Sequence, residues 1–110
     1  MRIAEVIGTV TLSRVHPTLI GHRFVIGVPF SLAALKNGGK ADGEEIVILD
    51  VLQAGYGSRI GCSEGVEAAM PFYPERKPVD AYCACLLDHI TIHDRPGGGG
   101  HETRKPVRNR

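Results

Sequence analysis

Three groups of residues in this 110-residue chain have the types that chemistry uses. The first is Gly55-Tyr56-Gly57, which follows an apolar run and precedes a segment of helical character. That is the order of parts in a phosphate-binding loop, where glycine lets backbone N–H groups approach an anion. The spacing fails the comparison. A dinucleotide fingerprint needs a third glycine at the place held by Ile60, and Gly61 comes one residue late. The lysine of a P-loop is missing too. The alternative is a tight turn whose backbone packs where side chains would not fit.

The second group is Cys83, Cys85 and His89. Counted along a strand, their odd numbers put them on one face, and thiolate and imidazole on a common face suit zinc. Thiols at i and i+2 lack the usual C-x2-C turn, and no fourth ligand is evident. Cysteine also serves as a small buried hydrophobe, which is the plainer reading. A Cys85–His89 nucleophile and base are four strand residues apart, too far to touch. The third group is Asp50, Asp80 and Asp88. Each is an isolated acid, better paired with a backbone donor or a basic neighbour than with another acid. His16, His22, His93 and His101 fall near turns or in the tail and read as solvated. No nucleophile, base and oxyanion donors converge, so the residues argue for no catalysis and no metal.

The elements that must carry these residues are mostly strands. From Arg2 to Arg14 the pattern alternates, with Ala4, Val6, Gly8, Val10 and Leu12 on one face and Ile7 as the exception on the other. Gly8 suggests a bend or close backbone approach. A second strand, His22 to Phe30, puts Phe24, Ile26, Val28 and Phe30 together. "SLAALKNGGKADG", whose "SLAAL" part could form one helical turn, reads as a surface loop with turn signals at Asn37-Gly38-Gly39 and Asp42-Gly43. The third strand, Glu45 to Gln53, and the last, Val79 to Ile92, are apolar on both faces. Such strands need cover on two sides. No long amphipathic helix is present to supply it, so the simplest cover is a second copy of the chain. Between them lie a short strand, Gly57 to Cys62, and a brief helix capped by Ser63. This order predicts a mainly β protein: a small OB-like β-barrel with one short helix.

The barrel is assigned to residues 1–95. Residues 96–110 hold four consecutive glycines and almost no apolar side chain, which predicts a flexible tail. Its last ten residues set Arg104, Lys105, Arg108 and Arg110 against Glu102, so the tail is basic and the body slightly acidic. The net charge of +1, the few aromatics and the absence of tryptophan give no footprint for nucleic acid or membrane. Three cysteines, two of them one residue apart, make a disulfide framework improbable and favour a reducing interior. No run is long enough to span a bilayer, and the first ten residues do not read as a secretory signal.

The segments "RIAEVIGTVTLSRVHPTLIGHRFVIGVPF", "GEEIVILDVLQAGYGSRIGCSEGVEAA" and "KPVDAYCACLLDHI" together resemble the EutN/CcmL family, the pentameric vertex proteins of bacterial microcompartment shells. Gly8-Thr9-Val10, Thr18 to Gly21, Asp50 followed by Ala54-Gly55-x-Gly57, and Pro78-Val79-Asp80-Ala81 carry the likeness by their order and spacing. The resemblance implies an OB-like barrel without catalytic site or cofactor. It implies a homopentamer set among hexameric shell proteins of a microcompartment, in the cytoplasm. It places the loop Ala54, Gly55, Tyr56, Gly57 and Ser58 near the five-fold axis, where five backbones converge. On that placement Gly57→Val should harm assembly more than folding. The subunit interface is expected to use Val47, Leu49 and Val51 with Pro78, Val79 and Asp80. Two residues depart from the family pattern: Ser58 stands where a glutamate is common, and Tyr56 where a small residue is common. An alternative from the barrel order and basic tail is an OB-type single-stranded nucleic-acid-binding module, whose affinity should fall steeply with salt.

Overall fold

The computed structural model describes residues 1–93 and the backbone of Val107–Arg108. Five strands close into a barrel in the order β1-β2-β3-β5-β4: β1 is Arg2–Val10, β2 Arg23–Pro29, β3 Ile46–Asp50, β4 Arg59–Glu64 and β5 Ala81–Leu87. All neighbours are antiparallel except β3 and β5, which run parallel through the pair Leu49↔Tyr82. Closure leaves no barrel strand with an open edge, which is how a small sheet avoids pairing with other chains. A two-residue strand, β6 (His89–Ile90), pairs with β7 (Val107–Arg108) beside the barrel. The rest of the expected flexible tail, 96–110, lies outside the described residues.

The barrel is filled from alternate positions of every strand. Ala4 and Val6, Val25, Ile48, Ile60 and Cys62, Ala81 and Cys83 form the inner cluster. This is the period-two rule of a half-buried strand applied five times. The expected alternation of β1 holds only as far as Val6. The register against β2 shifts between Val6 and Gly8, so Ile7 is the extra residue of a β-bulge. Beyond it the phase inverts: Gly8 opposes Ile26 and Val10 opposes Phe24, on the outside of the barrel. Ile7, the exception in the pattern, marks the place where the strand changes face.

Residues 31–43, expected to be a loop, contain the α-helix. Helix α1 (Leu32–Lys36) packs Leu35 with Phe30 and Ile90 in a second apolar cluster. Its first turn is capped by Ser31, whose hydroxyl accepts from the Ala34 N–H at 3.0 Å. Asp42 holds the cap in place, accepting from the Ser31 N–H at 2.8 Å and the Ser31 hydroxyl at 2.7 Å. Those bonds pull the Asp42 carboxyl below its usual range. The helix expected after Ser63 is instead a 3-10 segment, Gly65–Phe72, with Glu64 at its N-cap and no capping side chain. Ser63 remains in β4, opposite Tyr82. Gly65 turns the chain at φ +72° and its N–H binds the Asp80 carbonyl at 2.9 Å. Pro71 within the segment removes a donor and disfavours a regular α-helix.

An ion pair closes the β1–β4 side. Arg2 donates from Nε and Nη2 to the two carboxylate oxygens of Glu64, each at 2.7 Å. The Arg2 hydrogen bonds hold the Glu64 carboxyl below its usual range. A depressed folded pKa contributes stability above the unfolded value and loses it as pH falls through the folded one. Glu64→Gln should therefore be less stable than the parent near neutrality, by a few tenths of a kcal/mol since both side chains are substantially exposed. The difference should shrink as pH falls below the ordinary glutamate value of about 4.3 and vanish once pH lies below the depressed folded value. Unfolding midpoints of the two proteins across that fall in pH check it; a constant gap would contradict the pairing.

Candidate functional site

The glycine turn is tied to the first strand by backbone bonds. The Gly57 N–H donates to the Val6 carbonyl at 2.8 Å and the Val6 N–H to the Ser58 carbonyl at 2.9 Å. The Ser58 N–H returns to the Gly55 carbonyl at 3.0 Å, closing a four-residue turn. Gly57 sits in it at φ +84°, where glycine meets no Cβ penalty. Ser58 adds its hydroxyl, which accepts from the Gly55 N–H at 3.1 Å. The backbone donors at positions 55, 57 and 58 are thus used within the chain, and the turn has no spare nest of N–H groups for a phosphate.

Asp50 sets the turn from its other side. Its side chain is fully buried; Oδ1 accepts from the Leu52 N–H at 2.9 Å and Oδ2 from the Ala54 N–H at 2.7 Å. The Arg23 guanidinium, directly opposite on β2, donates to the same Oδ2. The expectation of backbone and basic partners for this acid holds. The carboxylate anchors both ends of a segment in which Gln53 takes a left-handed φ of +62°. Arg23 was not singled out from the sequence; its register with Asp50 across the β2–β3 pair was the available signal.

The turn carries an aromatic outward. Tyr56 is 82% exposed and borders a shallow groove of about 270 Å³ with Glu5, Ile7, Val28, Lys40 and Ala41. Gly55 is open: a Cβ built there meets only Ser58 Oγ, at 3.9 Å. Within one chain, therefore, Gly57 is required by its φ, whereas nothing crowds Gly55. Gly57→Val is thus expected to strain the fold of a single chain in addition to any effect on assembly.

The expected interface residues divide. Val47 on the outer side of β3 and Val51 just beyond its end stand uncovered, at 52% and 44% exposure. Pro78 and Asp80 are exposed and Val79 is half-buried. Leu49, between the two valines, is only 1% exposed, covered already within the chain. It sits in register with Phe24 and Tyr82, and Phe72 of the 3-10 segment meets Tyr82 edge-on at 5.5 Å. Leu49 is thus covered within the single chain, unlike the two valines.

Cys83, Cys85 and His89 do not share a face. The β4–β5 register passes from Gly61↔Cys85 to Cys62↔Cys83, leaving Ala84 as a bulged residue. Cys83 points into the barrel opposite Cys62. Cys85 packs outside over Gly61, where an added Cβ would lie 2.7 Å from its sulfur. His89 is exposed on β6. Among the described residues no group of three or more His, Cys, Asp and Glu side chains could hold a metal ion. No helix among them is long and apolar enough to cross a membrane.

The fold and site define a class: a small, closed OB-like barrel that presents an outward turn and an apolar outer surface instead of a converging set of reactive groups. The chain belongs to the EutN/CcmL family. The family's sequence model, described as ethanolamine utilisation protein EutN/carboxysome, matches residues 1–88. The carboxysome shell vertex protein CcmL of Synechococcus elongatus is 33% identical over 95 residues, covering 86% of this chain and 91% of that protein. The solved structure of Gloeobacter violaceus CcmL superposes with a TM-score of 0.73 at 27% identity, over 84% of this chain and 90% of that one. The same fold is found in GrpN, a pentameric microcompartment shell protein from Rhodospirillum rubrum, with a TM-score of 0.67, 24% identity, and 80% and 94% coverage.

Proposed function

We propose that this protein is a structural shell component that forms rings of five and caps the vertices of a bacterial microcompartment, with no enzymatic activity of its own. The barrel-wide match to a carboxysome shell vertex protein carries the reading. Geometry explains why such a component is needed. Six-fold tiles make a flat sheet that cannot close, and a five-fold tile at each corner supplies the missing curvature. A ring of this kind needs a heterologous interface, in which two different surfaces of one barrel meet and closure comes after five copies. The uncovered Val47 and Val51, with Pro78, Val79 and Asp80, supply one such surface. The turn from Ala54 to Ser58 faces the five-fold axis, where the open space at Gly55 accepts a neighbouring backbone. Hexameric shell proteins are the remaining partners, and the assembly sits in the shell within the cytoplasm. Nucleic acid and membrane have no part, in keeping with the near-neutral chain. Residues 1–95 form the shell domain and 96–110 a glycine-rich basic tail.

Native mass measurement tests this directly. The particle should weigh five times the 11.8 kDa chain. A stable monomer at micromolar concentration would overturn the reading, and a hexamer would remove the vertex role.

A further inference from the structure

We propose that Cys62 and Cys83 form a latent disulfide site, a pair of thiols inside the barrel that hydrogen peroxide joins into a staple between β4 and β5. The two are direct partners across the antiparallel pair, on the same inner face, and neither has any exposed surface. Cys62↔Cys83 is the first such pair beside the bulge at Ala84, and directly opposed residues of a regular antiparallel ladder have Cα atoms about 4.5–5.5 Å apart. That lies within the separation of roughly 4.4–6.8 Å that a disulfide spans. Burial first, then the adjacent Asp50 carboxylate, push the Cys83 thiol up, and Cys62 adds the smallest contribution. Both are free thiols here. The third cysteine cannot compete for either, because the bulge at Ala84 turns Cys85 to the outside over Gly61.

The chemistry balances with one peroxide. One thiol, as thiolate, attacks a peroxide oxygen; the O–O bond breaks, giving a sulfenic acid and, after proton transfer, water. The second sulfur attacks the sulfenic sulfur, the S–O bond breaks, and its oxygen leaves as a second water. Two thiols are oxidised, one peroxide is reduced, and no other reactant is needed. The closed barrel resists the first step. Burial pushes Cys62 up to about 11 and Cys83 up to about 12, so both remain protonated near neutral pH and are poor nucleophiles. Oxidation therefore proceeds through transient separation of β4 from β5, by local opening or during folding. Once the strands close again, the same burial keeps reductants from the bond. The redox conditions at folding or opening are thereby stored inside the shell component. This holds for one chain and does not depend on the ring.

The test uses the full-length protein in its native assembly, exposed to hydrogen peroxide with and without sub-denaturing urea. It is then alkylated in denaturant and mapped by non-reducing digestion. The expected product is a Cys62–Cys83 linked peptide pair lighter by two hydrogens, with Cys85 alkylated and a yield several-fold higher in urea. The oxidised protein should melt roughly 5 °C or more above the reduced form, reversibly with dithiothreitol after unfolding, because the bond closes a loop across the 3-10 segment. Recovery of Cys62 and Cys83 as separate alkylated or over-oxidised peptides at every urea concentration overturns the site, as does linkage through Cys85. A yield indifferent to urea overturns the opening step, and an unchanged melting point overturns the staple. Cys83→Ala should abolish the linked pair; should that variant not fold, the peptide map of the parent decides alone.

Discussion

Asp50→Ala is expected to lower the stability of the chain by about 3 kcal/mol, because each buried backbone donor left unsatisfied costs roughly 1–3 kcal/mol. The carboxylate is the sole buried charged residue of the described barrel, and its side chain has no exposed surface. It accepts from two backbone N–H groups, of Leu52 and Ala54, and from the Arg23 guanidinium. Alanine leaves all three donors without this acceptor, and Ala54 is itself fully buried, so water cannot readily replace it. Against the 5–15 kcal/mol that holds a typical domain together, such a loss is large. Arg23→Ala should cost clearly less. Arg23 is partly exposed, and the two backbone donors would still satisfy the carboxylate. Denaturant unfolding of both variants measures the order. An Asp50→Ala protein within 1 kcal/mol of the parent would mean that the acid does not organise the turn.

The same residue illustrates what could be read before any coordinates. An acid alone in the apolar run "EIVILDVLQ" must find donors nearby, and the chain supplies them two and four residues on. Strand identity was legible for the same reason: period two, β-branched side chains and turn residues agree with one another. The closed barrel follows from those strands. What escaped was anything that depends on a single inserted residue or on a distant partner. The bulge at Ala84 breaks odd–even counting, so Cys85 left the face assigned to Cys83. Ile7 did the same in β1, although there the anomaly in the pattern was visible. Helix α1 was read as a loop because its cap is completed by Asp42, eleven residues beyond Ser31. The two-sided apolar character of β3 was assigned wholly to a sister molecule. Part of that cover comes from the chain itself, near Phe24, Tyr82 and the short 3-10 segment, and this removes Leu49 from the outer surface while leaving Val47 and Val51 on it.

Gly55→Val is expected to abolish ring formation while leaving the stability of the single chain within about 0.5 kcal/mol of the parent. The reasoning separates two glycines that look alike in sequence. Gly57 holds φ +84°, a region costly for a side chain and worst for a β-branched one, so Gly57→Val should destabilise the chain by at least about 1–2 kcal/mol whether or not it assembles. Gly55 has no positive φ, its N–H stays bonded to Ser58 Oγ, and a side chain there points into open space. A requirement for glycine at position 55 can then come only from another molecule. If five copies of the turn converge on an axis, each valine adds bulk where backbones approach, and the effect is multiplied five times in one place. Native mass and denaturant unfolding, measured on both variants, distinguish the two causes. Gly55→Val should be a well-folded chain that no longer forms rings, and Gly57→Val a weakened chain at every concentration. Normal rings from Gly55→Val would place the turn away from the crowded centre, while leaving the family fold and the glycine at 57 explained as before.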